Sequence, residues 1–432
     1  MIKPVKILLL NILLISGIPG FAQYGYQAYF GNLHSHTGNS DGEGTPEEAY
    51  NFARDSAGLD FLAVTDHVEQ IDPIEWYNQI TTANQQTANG SYVALIGYEW
   101  GSPLDGHINV FNTNNLILTL GWFYDDWDGF RQWVIDNPPA FTEFNHPGDP
   151  SYATTWNDFE YLGGDNDSIF RLMEFQSPQQ ATDWYEFALK KGWHLSPVWN
   201  QDNHSADWGT KDNGRAGIWA TELTKTALYE AIKKRRTFAT TDKNASIWLD
   251  ISGVPMGGTV QKEMDAPVHI SLVDGNNESW SNIEMVSQNG IIDNFSSTTS
   301  SLDTILLVTP GNDEWIFIRA RQPDGDYIWS APVHFTGTIN VGVNDIPASE
   351  FSYSPNPAND MINVSFTGVD EDKTYLYIVN DQGQIVKELR PKNHSERNGI
   401  WNFSVSDVAP GLYFLNLYSG GSFTFKKLII QR

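Results

Sequence analysis

The chain has 432 residues, a formal net charge of −27, 13% aromatic residues and no cysteine. That length is enough for a barrel-sized domain with one or two smaller ones, and the apolar and aromatic content excludes intrinsic disorder. The lack of thiols excludes disulfides, thiolate catalysis and zinc-finger sites, while the acidic balance disfavours nucleic acid and anionic lipid as partners.

Residues 1–22 read as a cleavable secretory signal peptide. Lys3 and Lys6 precede an apolar run from Ile7 to Ile15, and Gly20-Phe21-Ala22 lies just before Gln23. The run is shorter than the roughly 20 residues that span a bilayer, so a cleaved signal is expected and no membrane span after its removal. From Gln27 to about Thr241 apolar strands alternate with amphipathic helices, as in a barrel or open sheet of parallel strands. Thr45-Pro46-Glu47-Glu48 is a capping box with proline at the first helical position, which predicts a helix to about Ala57. Strands are predicted at Phe61 to Val64, Tyr92 to Ile96, Phe141 to Phe144 and Leu195 to Asn200.

Each of these strands runs into a polar motif at or just past its carboxyl end, the rim where α/β barrels carry their chemistry. The motifs are His34-Ser35-His36, Ser40-Asp41-Gly42, Thr65-Asp66-His67, Glu99, His107, Asn145-His146-Pro147 and Asp202-Asn203-His204. Six of the ten histidines of the chain lie in them. His-x-His at a strand end turns two imidazoles to one face, because strand side chains alternate with period two. Nitrogen and carboxylate ligands without thiolate suit two or three catalytic divalent ions, zinc, manganese or iron. Such ions would outweigh the carboxylates of Asp41, Glu99 and Asp202 and make a cationic pocket in an acidic protein, which suits a phosphate ester. Arg215 and Arg236 are the further cationic candidates, and Asp202 is the candidate for handling the proton of the attacking water or of the leaving group. His194, His269, His334 and His394 read as ordinary residues.

Near Ala245 helical periodicity gives way to strands of alternating polarity with Gly-Asn, Asp-Gly and Pro-Gly turns, which predicts an all-β, sandwich-like module over 245–340. A linker over 341–350 leads to a second β module over 351–432, with a turn at Asp381-Gln382-Gly383.

The motifs LHSHT, SDG, AVTDH, GYEW, GHINVF, NHPG and QDNH resemble, in order and spacing, the polymerase and histidinol phosphatase (PHP) family of metal-dependent phosphoesterases. Within it, GHINVF and RAGIWATELTKTALYEAIKKRRTFATTD look most like the carbaryl-hydrolase-like branch, which holds carbamate and phosphate-ester hydrolases. The resemblance implies a distorted (β/α)7 PHP barrel over 23–244. It also implies one ion among His34, His36, Glu99 and Asp202, a second shared by Glu99 with His107 and His146, and a third held by Asp41, His67 and His204. Many members of the family have histidine where this chain has Asp41. The expected activity is hydrolysis of small organic phosphate mono- or diesters by a metal-bound hydroxide. A carbamate, ester or amide hydrolase is the alternative within enzymes, and a surface glycan-binding protein is the alternative outside them. The tail, with Ser354-Pro355-Asn356-Pro357-Ala358, Pro410-Gly411-Leu412-Tyr413 and the closing KKLIIQR, resembles the C-terminal sorting domain of the type IX secretion system of the Bacteroidetes. It implies the type IX machinery as partner and release to the surface or medium.

Overall fold

The structure, a computed structural model, describes residues 22–23, 25–102, 104–117, 127–151, 155–338, 351–366, 374–380, 385–389, 400–419 and 422–432. The signal peptide up to residue 21, the 341–350 linker, the turn at Asp381-Gln382-Gly383 and His394 lie outside them.

Strand Tyr26–Asn32 leads to the ligand-rich loop, and helix Pro46–Asp55 follows with the expected capping box. Thr45 Oγ1 accepts from the Glu48 backbone N–H and Glu48 Oε2 accepts from the Thr45 N–H at 2.8 Å, satisfying two of the four orphan donors of the first turn. Asp72 and Glu75 make a second box at the start of helix Pro73–Gln86. Strand Phe61–Val64, between the two helices, is buried at all four positions, as a strand covered on both faces must be.

Strands Tyr26–Asn32, Phe61–Val64 and Val93–Ser102 pair in parallel, and so do Phe141–Phe144, Phe170–Phe175 and Ser196–Trp199. The two sets are joined by antiparallel pairing of Gly106–Phe111 with Val93–Ser102 on one side and with Phe141–Phe144 on the other. Arg215–Ala220 adds antiparallel to Tyr26–Asn32, and Thr237–Thr240 antiparallel to Arg215–Ala220. The architecture is therefore mixed α/β, and the ladder, broken by antiparallel pairs, does not show the all-parallel sheet expected from the alternation or the seven βα units of the distorted (β/α)7 barrel that the resemblance implies. The reason is local: the connection from Ser102 to Gly106 is too short for a helical crossover, so the chain can only turn back as a hairpin. The ends of the ladder path still come close, since Thr237 Oγ1 donates to the Pro197 carbonyl at 2.9 Å.

The strands after Ala245 form no detached sandwich. Ala245–Ile251, Ala266–Asp274 and Ser301–Val308 make a separate sheet. Strand Tyr327–Ser330, however, pairs with Thr237–Thr240 and carries the main ladder into Trp315–Arg321 and Trp280–Ser287. Trp219 and Phe238 of the first region share a core with Trp248, Ile270 and Ile318 of the second. Each such side chain contributes about 1.5–3 kcal/mol by burial, so the two regions hold each other. The tail has a three-stranded and a four-stranded sheet with its own core around Ile378, Trp401 and Leu415. Among the described residues no helix is long and apolar enough to cross a membrane.

Candidate metal centre

All nine residues singled out as ligands gather at one end of the sheet. His34 and His36 follow strand Tyr26–Asn32, and Ser35 between them is tied to the next strand, its Oγ donating to the Ala63 carbonyl at 2.6 Å. With the middle residue held back, both imidazoles turn the other way and their Nε2 atoms stand 3.2 Å apart. Glu99 lies at the centre, 1% exposed. Its Oε1 is 3.3 Å from His34 Nε2, 3.1 Å from His107 Nδ1 and 3.3 Å from His146 Nε2. Its Oε2 is 3.3 Å from His36 Nε2 and 3.2 Å from His67 Nδ1. Asp202 Oδ1 comes within 3.3 Å of His34 Nε2 and 3.2 Å of His36 Nε2. Asp41 reaches His36 Nδ1 and His204 Nε2 at 3.4 Å and His67 Nε2 at 3.6 Å.

These spacings have a physical reading. Ligand atoms about 2.1 Å from a tetrahedral ion stand about 3.4 Å from one another, so the observed separations suit atoms that share a cation. Among the nine, three groups have donor atoms within 4.8 Å of one another: His34 with His36 and Asp202, His67 with Glu99 and His107, and His36 with Asp41, His67 and His204. His36 and His67 each belong to two groups, which is a denser sharing than the resemblance implies, and His146 is in none of the three but meets Glu99 Oε1 at 3.3 Å.

The supporting side chains are as buried as the ligands. Glu174 Oε1 meets His34 Nδ1 at 2.9 Å while its Oε2 accepts from the His146 backbone N–H at 2.6 Å, so one carboxylate orients a ligand ring and anchors a second ligand's backbone. Asp66 touches none of the grouped atoms. It accepts from the Thr37 N–H and Oγ1, Ser40 Oγ and Gln79 Nε2 at 2.6–2.7 Å, and so fixes the loop that carries His36 and Asp41. Gly42 is required there, because a Cβ would lie 2.7 Å from the His36 carbonyl carbon. His146 and Asp202 have φ of 29° and 47°, a left-handed conformation costing about 1–3 kcal/mol that active sites commonly carry.

Burial opposes charge on every group, and the neighbours decide the outcome. The carboxylates of Asp202, Glu174 and Glu99 overcome it at His34 and hold that pKa well above the usual imidazole range. His36 is raised to about 9 against burial by its contacts with Asp202 and Glu99. Burial takes His67 down to about 4 against the pull of Glu99, with the charges of His36 and His107 acting in the same direction as burial. For Glu99, burial is outweighed by His107, His34 and His67, which keep it ionised. Adjacent rings compete for protons, a competition that divalent cations end by displacing them.

Arg215 begins a strand whose register sets Ala216 beside Gly31, at the same end of the sheet. Its Nη1 donates to the carbonyls of Asp212 and Gly214, neither of them one of the nine. Arg236 lies at the other end of that strand pair, its guanidinium 4.4 Å over the Tyr26 ring. Glu174, Glu143 and Asn145 were not among the candidates. Glu143 is fully buried and accepts from Asn200, and burial together with Glu174 raises its pKa well above the carboxylate range. Asn145 Nδ2 donates to Glu99 Oε1 at 2.7 Å. Both glutamates stand in apolar strands, FTEF and FRLMEF, where a lone acid is itself a signal.

Residues 353–431 match the family described as secretion system C-terminal sorting domain. The tail is a type IX sorting domain, and the protein is secreted or held at the cell surface. No curated protein matches the chain by sequence. Among solved structures, it is similar to a two-domain protein from Bacteroides vulgatus ATCC 8482 containing a predicted PHP-like metal-dependent phosphoesterase, at 15% identity and a TM-score of 0.43, covering 74% of this chain and 100% of that one. A lesion-specific endonuclease from Pyrococcus furiosus is similar at 14% identity and a TM-score of 0.34, over 48% of this chain and 56% of that one. Neither likeness decides the chemistry, which rests on the geometry of the site.

Proposed function

We propose that this protein is an exported, metal-dependent phosphoesterase of the PHP type that cleaves small organic phosphate mono- or diesters outside the cell. The single observation that carries the reading is Glu99, a buried carboxylate ringed by five imidazoles, with Asp41 and Asp202 closing the outer sides. The reading takes residues 23–244 as a distorted PHP barrel with metal ligands His34, His36, Asp41, His67, Glu99, His107, His146, Asp202 and His204. Residues 245–340 are a β module built onto it, and 351–432 the sorting domain.

When bound, divalent ions supply Lewis acidity toward a phosphoryl oxygen and activate water. The chain does the rest. Glu174 holds His34 in the tautomer that offers Nε2 to the centre. Asp202, with its side chain 22% exposed, reaches both His34 and His36 while keeping access to solvent, which suits it to receive or return a proton. Arg215 contributes positive potential from the same end of the sheet and is assigned no direct contact.

The test is metal content together with a hydrolase panel, run with zinc, manganese and iron in turn. Two or three ions per chain and turnover of phosphate mono- or diesters are expected. Cleavage of aryl carboxyl esters or carbamates without any phosphate ester would transfer the centre to carbonyl chemistry.

A further inference from the structure

A cavity opens beside the centre at His146, and a second meets it at Gln179. The first, of about 420 Å³, begins at His146 and is lined by Asp149, Gln176, Gln179, Asp183 and Trp184. The second, of about 480 Å³, continues past Gln179 to Asn282, Arg319, Arg321, Tyr327 and Trp329 on the β region. Each is of the size that holds a small organic ligand, ~300–1,000 Å³.

The polarity of the first cavity is one-sided. Each of its amide nitrogens already gives one N–H to the protein: Gln176 Nε2 donates to Glu174 Oε2, Gln179 Nε2 to Asp183 Oδ2 and Gln180 Nε2 to the Pro147 carbonyl, which leaves one N–H on each. Asp149 Oδ1 accepts from the Ser151 N–H and its Oδ2 lies 3.9 Å from His146 Nδ1, while Asp183 uses only Oδ2 toward Gln179. Among the described residues no lysine or arginine lines it. Trp184 forms an aromatic wall, its indole against Gly148, whose φ of +80° and lack of Cβ allow the approach. A wall in which carboxylates and amide carbonyls outnumber the spare amide N–H groups, with an indole face and no lysine or arginine, disfavours an anion and suits a neutral body rich in hydroxyls, which donate and accept, and with C–H groups for the ring. In the second cavity Tyr327 and Trp329 stack with centroids 5.4 Å apart, and the Arg321 guanidinium lies 5.4 Å from the Tyr327 ring.

We infer that this groove binds saccharide, and that the substrates of the metal centre are phosphorylated sugars. Resting on the phosphoesterase reading above, the sugar adjoining the scissile phosphate occupies the cavity from His146 to Gln179. A second sugar unit extends over Tyr327 beside Arg321.

The metal-loaded full chain is assayed with a hexose phosphate, phosphocholine and p-nitrophenyl phosphate. The hexose phosphate has the lowest KM. Gln179→Ala raises that KM about tenfold, the loss of one good hydrogen bond, and raises the KM for p-nitrophenyl phosphate several-fold less. Gln179 and Asp183 are exposed, so neither substitution threatens folding. Equal shifts for the two substrates, or a preference for phosphocholine with Asp183→Asn as the dominant variant, overturn the inference and leave the phosphoesterase standing. Calorimetry with a neutral disaccharide separates the two claims. Binding that Gln179→Ala abolishes, in a protein that turns over no phosphate ester, keeps the saccharide groove and discards the catalytic reading.

Discussion

At Glu99 five imidazoles crowd one carboxylate, whereas at His269, in the β region, two carboxylates crowd one imidazole. The same two functional groups give opposite local balances. His269 places Nδ1 2.8 Å from Asp250 Oδ2 and Nε2 2.5 Å from Asp303 Oδ1, so a single protonated ring satisfies both acids. Around Glu99 the ring nitrogens outnumber the oxygens that can receive them, and two face each other at 3.2 Å. Proximity of histidine to carboxylate therefore does not define a metal site. Convergence of nitrogens that a proton cannot satisfy does, because only a cation of higher charge serves several lone pairs at once.

Replacing His34 and His36 together by alanine is the largest way to break this contrast. Metal uptake, measured by elemental analysis, should be lost, while His269→Gln should leave stoichiometry unchanged. Unaltered metal content in the double variant would remove the ligand assignment. A smaller change sharpens it: Glu174→Gln keeps the shape of the side chain and removes the charge that orients His34. Loss of such an outer partner lowers metal affinity about 10–100-fold. Competition with a chelator should read that loss at unchanged thermal stability, and an unchanged affinity would make Glu174 a merely structural acid.

The centre was legible in the sequence because its ligands sit in short motifs whose place at strand ends follows from hydrophobic runs, as with His34-Ser35-His36 and Phe61 to His67. Glu174 was not, because its partner His34 is 140 residues away and the two meet only through the sheet order. Strand Val93–Ser102 also runs six residues past the predicted end at Ile96, its alternation hidden because both faces are buried, and this carries Glu99 into a hairpin rather than a strand-end loop. The change of texture at Ala245 was visible, whereas pairing of Phe238 with Ser330, which fuses the two regions, was not written in either segment alone.

The last effect expected is one of stability, and it isolates the second constellation. Burial works against charge on His269, but its bonds to Asp250 and Asp303 raise the pKa to about 10. An unfolded chain returns it to about 6.5. The folded state thus binds the proton more tightly, so the stabilisation is complete below about pH 6.5 and declines as pH rises toward 10, by at most roughly 1.4 kcal/mol per pH unit. Chemical denaturation of the full chain between pH 6 and 10 should show this decline, and His269→Gln should flatten it, since a neutral amide binds no proton at any pH in the range. The ring's place between strands Ala245–Ile251 and Ser301–Val308 makes it a pin for that sheet alone. Equal slopes in the two proteins would mean that the two aspartates hold a neutral ring, and the contrast with Glu99 would then lie in ligand count rather than in charge.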